Sequence, residues 1–299
     1  MLAGVAVGSV LLASCGSSPS TTSTHPKVVR VVAAENFWGS IARQIGGSHV
    51  SVTSIITNPT VDPHSYEPTT ADAIVLASAQ LVIENGIGYD AWVPRLLSAD
   101  QDHPTVLDVG TVIGVANGGN PHRWYNPVDV LQVIATMVTD FQRIDPAASA
   151  YFAAQARHFR GVDLRSYHLA IAAIRSRFAG TKVGASESIF AMLAPALGLD
   201  LVTPSSFLRA ISEGTEVSAA DKQAIDHQIR AHLIKVYIYN SQNVTPDVQA
   251  QLSQVKAEHI PYATITETLV PPTSTYEAWQ TAQLLGIEAA LARAVRSHT

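Results

Sequence analysis

The sequence predicts an α/β protein of two similar lobes, each a four-stranded, mainly parallel sheet with flanking helices, joined by one long linking helix. Three observations carry this. Short apolar, β-branched runs alternate with segments of helical spacing over residues 28–145; the same alternation begins again after Gly180; and residues 147–178, between them, hold no proline while apolar residues recur at helical spacing. Strands alternating with helices build a parallel sheet covered on both faces.

In the first lobe the strands fall at 28–33, 50–56, 81–84 and 105–109, and the helices at 37–45, 70–78, 89–97 and 128–143. Gly46-Gly47 stops the first helix, and the Gly- and Asn-rich stretch 110–121 reads as a loop. Asp145-Pro146 punctuates the chain, with Pro146 suited to the first position of the next helix. At 1.5 Å per residue, a linking helix over 146–178 reaches about 45 to 50 Å. Gly161 is the place for it to bend, since an interior glycine costs ~1 kcal/mol against alanine. The second lobe, 179–299, has strands at 182–185, 199–203, 235–239 and 261–266, and helices at 188–197, 218–233, 245–258 and 275–295.

The chain starts with an almost wholly apolar or small run, 2–12, followed by Leu12-Ala13-Ser14-Cys15. Such a run is too short to span a bilayer, which takes ~20 residues, and fits the apolar core of a signal peptide. Residues 1–14 are therefore expected to be a lipoprotein signal peptide, with Cys15 as the acylated first residue of the mature chain, although no Lys or Arg precedes the apolar run. Residues 15–27, rich in Ser and Thr, have the composition of a flexible tether. Cys15 is the single cysteine, so an exported chain has no internal disulfide and its stability rests on packing. Charged residues make up 14% of the chain, well under the ~25% usual for soluble domains, and the net charge is −5. There is no basic patch for nucleic acid and no second apolar span.

Two phrases resemble each other: Asp62-Pro63-His64-Ser65-Tyr66-Glu67-Pro68 and Asn120-Pro121-His122-Arg123-Trp124-Tyr125-Asn126-Pro127. Each sets a histidine after an Asx-Pro step and before an aromatic residue. Proline fixes its own φ and restricts the residue before it, so each imidazole leaves the backbone in a narrow range of directions. Ordinary turns account for either phrase alone; the recurrence points to a shared target. His64 follows the second predicted strand and His122 the fourth, while Glu187 follows the first strand of the second lobe and Glu267 the last. Ligands of open α/β sheets bind beyond the carboxyl ends of the strands. Two imidazoles and two carboxylates there form a set suited to a divalent transition metal. Glu187 also reads as a carboxylate in the first turn of a helix, stabilised by the helix dipole, and Glu267 as a solvated loop residue before Pro271-Pro272.

On these phrases, together with the lipobox, Ser186-Glu187-Ser188-Ile189-Phe190 and Thr266-Glu267-Thr268-Leu269, the sequence resembles the TroA-like or ZnuA-like metal-binding lipoproteins of bacterial zinc and manganese ABC transporters. The resemblance covers nearly the whole chain. It implies metal binding by His64, His122, Glu187 and Glu267. In the family the third position is glutamate in manganese-type members and histidine in zinc-type members, and the fourth is commonly aspartate, so Glu267 is a departure by one methylene. Asn120 likewise stands where aspartate is more usual, and the histidine-rich loop frequent in zinc-type members is missing between the two phrases. The implied cargo is Mn2+ or Zn2+, with Fe2+ also compatible. A hydrogen bond to the far nitrogen of each histidine is expected; Glu35, Asn85 and Asp90, at or near strand ends, are candidates for it and equally suited to caps and turns. The remaining histidines carry no motif.

The resemblance implies an extracytoplasmic binding protein, not an enzyme. It would be monomeric, anchored to the outer face of the cell membrane through Cys15, and would capture the metal between its lobes and deliver it to an ABC permease. Three other readings of the residues stay open: a metallohydrolase using the same four side chains, although no His-Glu-x-x-His occurs; a haem or siderophore receptor of related fold; and a surface adhesion protein with a structural metal.

Overall fold

The computed structural model describes residues 28–98 and 104–296, together with Met1 and Gly4. Cys15 and the tether lie outside the described residues, and with them the signal-peptide and lipid-anchor readings. Among the described residues no helix is long and apolar enough to cross a membrane.

The first half of the chain runs β1 (Val29–Glu35), α1 (Asn36–Gly46), β2 (Val50–Ile56), α2 (Thr70–Ala77), β3 (Leu81–Glu84), α3 (Trp92–Leu97), β4 (Thr105–Asp108), α4 (Val109–Ile113) and α5 (Pro127–Ile144). Its strands pair in the order β2-β1-β3-β4, and every pairing is parallel. β1 is buried on both faces, as a central strand covered by helices must be, whereas the edge strand β2 alternates in exposure. Val31 and Ala33 enter the main core, while Val32 and Ala34 point the other way, to a smaller cluster with Leu76, Val82 and Trp92.

Rather than one unbroken α-helix, 146–178 is a short 3-10 turn (Pro146–Ala148), α6 (Ser149–His158), a π-helical turn (Phe159–Asp163) and α7 (Arg165–Phe178). The Leu164 N–H donates to the Phe159 carbonyl at 2.9 Å, the i to i−5 step that defines such a turn. Gly161 sits inside it. The glycine therefore marks a change of helical pitch, with Phe159 and Leu164 still buried on either side.

The remainder runs β5 (Lys182–Ala185), α8 (Ile189–Leu197), β6 (Asp200–Leu201), α9 (Ser205–Ser212), α10 (Ala219–Arg230), β7 (Val236–Asn240), α11 (Pro246–Ala257), β8 (Tyr262–Ile265) and α12 (Tyr276–Arg296). The sheet order is β6-β5-β7-β8, again wholly parallel. The two sheets thus have the same winding, second-first-third-fourth. One continuous apolar core contains residues of both sheets and of α6 and α7, including Phe37, Trp124, Phe152, Tyr167, Phe178 and Phe190. α12 packs on α7 and on β8.

Other elements also differ from the sequence reading, and β6 spans only Asp200–Leu201 of the strand predicted over 199–203. α4, with Gly110 in its interior, enters the stretch read as loop, and α9 lies in a stretch given no element; both are short. α3 begins at Trp92 rather than at residue 89, because Gly86, Ile87 and Gly88 all adopt positive φ and hold Tyr89 in the turn ahead of the helix.

A four-donor cluster between the lobes

The two Asx-Pro-His phrases fold alike at their start. Asp62 Oδ1 accepts the backbone N–H of His64 at 2.9 Å, and Asn120 Oδ1 accepts that of His122 at 3.1 Å. Each is an Asx turn stiffened by the proline between. Asn120 does more: its Oδ1 also accepts from His122 Nδ1 at 2.9 Å, and its Nδ2 donates to the Ser188 carbonyl of the second lobe at 2.7 Å. With Nδ1 donating, the His122 tautomer leaves Nε2 bare towards the centre. An aromatic floor holds the rings. The buried Trp124 lies edge-on to His122 at 5.2 Å between centroids and stacks on Phe37 at 3.9 Å, while Tyr89 lies edge-on to His64 at 4.7 Å.

The carboxylates come from the other sheet. Glu187 follows β5 and precedes Ser188, the N-cap of α8. It is therefore outside the first helical turn, and the helix-dipole account given to it from sequence does not apply. Its Oε1 accepts from Ser212 Oγ at 3.1 Å and its Oε2 from the side-chain amide of Asn240. Glu267 follows β8 and is fully buried, not solvated as a loop glutamate would be. Its Oε2 accepts from the Tyr89 hydroxyl of the first lobe at 2.7 Å, and its Oε1 from Asn240 Nδ2 at 2.8 Å.

The four side chains converge, with one donor atom from each lying within 4.8 Å of all the others. The two Nε2 atoms are 3.1 Å apart; His64 Nε2 is 3.6 Å from Glu187 Oε1 and 3.5 Å from Glu267 Oε2; the corresponding distances from His122 Nε2 are 3.5 and 3.8 Å. Bonds of about 2.1 Å to a tetrahedral ion place donors about 3.4 Å apart, so these spacings fit one small cation at the centre. Two neutral imidazoles and two carboxylates balance a divalent charge. His122, Glu187 and Glu267 are 0% exposed and the His64 side chain 17%, which makes His64 the edge through which the cluster meets solvent. A cavity of about 600 Å³ lies there, walled by His64, Tyr89 and Asn120 on one side and Ser188, Arg209 and Ser212 on the other.

Without a cation, protons take up the charge. Burial opposes a charged His64 ring, yet the carboxylates of Glu267 and Glu187, with Asp62 behind them, outweigh it and raise the imidazole to about 9. Burial likewise opposes an ionised Glu267, and the charge of His64, with the His122 ring beside it and a hydrogen bond from Tyr89, overcomes it and lowers the carboxyl to about 2.

Of the outer-shell candidates, none supplies the acceptor on His122; that is Asn120, two residues before it. Asn85 instead accepts from Trp38 Nε1 at 3.1 Å and donates to the Pro121 carbonyl at 2.9 Å, steadying the second histidine phrase from behind. Asp90 accepts the backbone N–H groups of Asn85 and Gly86 at 2.6 and 2.8 Å, closing that turn. Glu35 is buried beside Asp90, and its carboxyl is pushed well above the usual range, first by burial and then by Asp90. Sequence reading missed Asn240, Tyr89, Ser188 and Ser212. Position after a strand was the signal available for Asn240.

The chain has relatives among known proteins. Over 160 residues the chain is 26% identical to the manganese-binding lipoprotein MntA of Halalkalibacterium halodurans, covering 52% of this chain and 53% of that one. It is 22% identical over 255 residues to the high-affinity zinc uptake system protein ZnuA of Bacillus subtilis, covering 77% of each. Most of the curated relatives it matches are spanned over about half of their length. Among solved structures, a Cd-bound periplasmic metal binding protein from Candidatus Liberibacter asiaticus superposes with a TM-score of 0.71 at 20% identity, covering 88% of this chain and 99% of that one. The protein FpvC of P. aeruginosa, in complex with Ni2+, gives 0.71 at 18% identity, covering 89% and 98%. At these identities the likeness shows the shared fold. The family model described as zinc-uptake complex component A, periplasmic, matches residues 31–290, a span that takes in both sheets and all four converging side chains; the chain belongs to that family.

Proposed function

We propose that this protein is the metal-capturing component of an ABC importer: it takes up one divalent transition metal, Mn2+ or Zn2+ and in principle Fe2+, between a lobe of residues 28–145 and a lobe of residues 179–299, linked through 146–178, and hands it to a membrane permease. His64, His122, Glu187 and Glu267 are the metal ligands. The observation that carries the reading is the convergence of these four donors, two from each lobe, within 4.8 Å in a nearly dry setting. Membership of an uptake family and the metal-binding names of its relatives support it.

The protein works outside the cytoplasm as a monomer, held to the outer face of the membrane by a lipid on Cys15; relatives that are lipoproteins support the lipid anchor. Catalysis has no place in the reading. A hydrolytic metal needs an open position and a free general base. Here all four carboxylate oxygens already accept hydrogen bonds, from Ser212, Asn240 and Tyr89.

The test is metal content by elemental analysis, with competitive loading by Mn2+ and Zn2+, on the mature protein and on a His64→Ala, His122→Ala double variant. One equivalent bound by the native protein and none by the variant is expected. No stoichiometric metal in either would refute the reading.

A further inference from the structure

Asn240 is fully buried at the end of β7 and touches both carboxylates at once. Its Nδ2 donates to Glu187 Oε2 and to Glu267 Oε1. The position follows from strand order: β7 lies between β5 and β8, so its last residue falls between the loops carrying Glu187 and Glu267. The far side of the residue is tied down as well. Its Oδ1 accepts the Gln242 backbone N–H at 3.1 Å, and its own backbone N–H donates to Ser186 Oγ at 2.9 Å. With Oδ1 so engaged, the amide presents its two N–H groups to the carboxylates, one to each.

The other two oxygens, Glu187 Oε1 and Glu267 Oε2, accept from the Ser212 and Tyr89 hydroxyls and are the two that face His64 and His122. A carboxylate that chelates through both oxygens must turn both towards the ion. Here that turn breaks a charge-assisted hydrogen bond at a residue with no access to replacement water.

We infer that Asn240 sets the metal preference of the site: by holding one oxygen of each glutamate, it limits the protein to four donors and favours a four-coordinate cation of the Zn2+ kind over Mn2+. Zn2+ accepts four ligands at tetrahedral spacing, whereas Mn2+ suits oxygen-rich, six-coordinate sites. Zn2+ already leads Mn2+ in intrinsic affinity, and the amide widens that lead. The inference rests on the metal site proposed above. Asn240 is a positioning residue within it.

The experiment is X-ray absorption on the Zn2+- and Mn2+-loaded native protein and on Asn240→Ala and Asn240→Ser, with Zn2+ against Mn2+ competition on each. The expected native result is a Zn2+ shell of two nitrogens and two singly bound carboxylates. In the variants, an added carboxylate oxygen should enter the Mn2+ shell, and the preference for Zn2+ should narrow by about tenfold or more, the scale of outer-shell effects on metal affinity. A chelating glutamate in the native Zn2+ shell overturns the inference, and so do variants with unchanged shells and preference. The native spectrum decides the matter even if neither variant folds. A native protein that binds no metal defeats the metal-site reading itself, whereas loss of metal in the His64→Ala, His122→Ala variant with no change at Asn240 defeats the inference alone.

Discussion

His64 Nε2 and His122 Nε2 stand 3.1 Å apart, facing each other in a pocket that holds two carboxylates. At that spacing one nitrogen carries a hydrogen and the other accepts it. A hydrogen shared between the two nitrogens would occupy the place a cation takes.

Metal uptake should expel that proton. With the His64 imidazole at about 9, binding at pH 7.5 should release about one proton per ion, because imidazole ligates only when neutral. Calorimetry in buffers of different ionisation enthalpy measures this number, and affinity should rise with pH until about pH 9. Release of no proton at pH 7.5 would contradict the assignment.

Stability of the metal-free protein should depend on pH in a defined sense. The His64 value is raised from 6.5 to about 9, so its contribution is present in full below about pH 6.5 and is lost as pH rises through about 9. The Glu267 value is depressed from 4.5 to about 2, so its contribution is present above about pH 4.5 and is lost as pH falls through about 2. Melting of the metal-free protein should fall between pH 6.5 and 9.5, and His64→Ala should flatten that slope.

Glu267→Gln keeps the shape of the side chain and removes its charge. The variant should lose metal affinity by more than roughly 100-fold, above the 10–100-fold typical of outer-shell changes. Titration against a chromophoric chelator reads it; a loss within tenfold would place Glu267 outside the ligand set.

Asn120→Ala takes away the acceptor that orients the His122 ring and the link to the Ser188 carbonyl. Affinity should fall roughly 10–100-fold. Asn120→Asp restores the acceptor and should recover most of it.

Trp124→Ala removes the floor beneath His122 and the face against which Phe37 stacks. A buried aromatic of this size costs about 3–5 kcal/mol when truncated. Chemical denaturation of the metal-free protein tests the figure without reference to the ligands.

The two-lobe fold was legible because parallel strands buried on both faces leave unbroken apolar runs, as at Val31-Val32-Ala33-Ala34 in β1. The histidines were legible because an Asx side chain and a proline leave a local mark immediately before each of them. Asn240 left none. Its role comes from β7 lying between β5 and β8, a neighbourhood set by sheet order and invisible to spacing along the chain. Tyr89 was hidden for a related reason: three positive-φ residues delay α3 and turn its hydroxyl across to Glu267. α4 and α9, five and eight residues long, are too short for helical periodicity to separate from loop.

The donors are divided evenly, two imidazoles on one sheet's loops and two carboxylates on the other's, and that division bears on how a bound ion is given up. Neither pair is much of a chelator by itself; the high affinity expected of the whole comes from each pair being presented to the other at a large effective concentration, fixed by the interface between the sheets. Parting the lobes slightly lowers that concentration steeply without changing a single donor. On the metal-capture reading proposed above, a small displacement of one set of loops against the other would therefore weaken the hold on the ion without any change in the donors themselves.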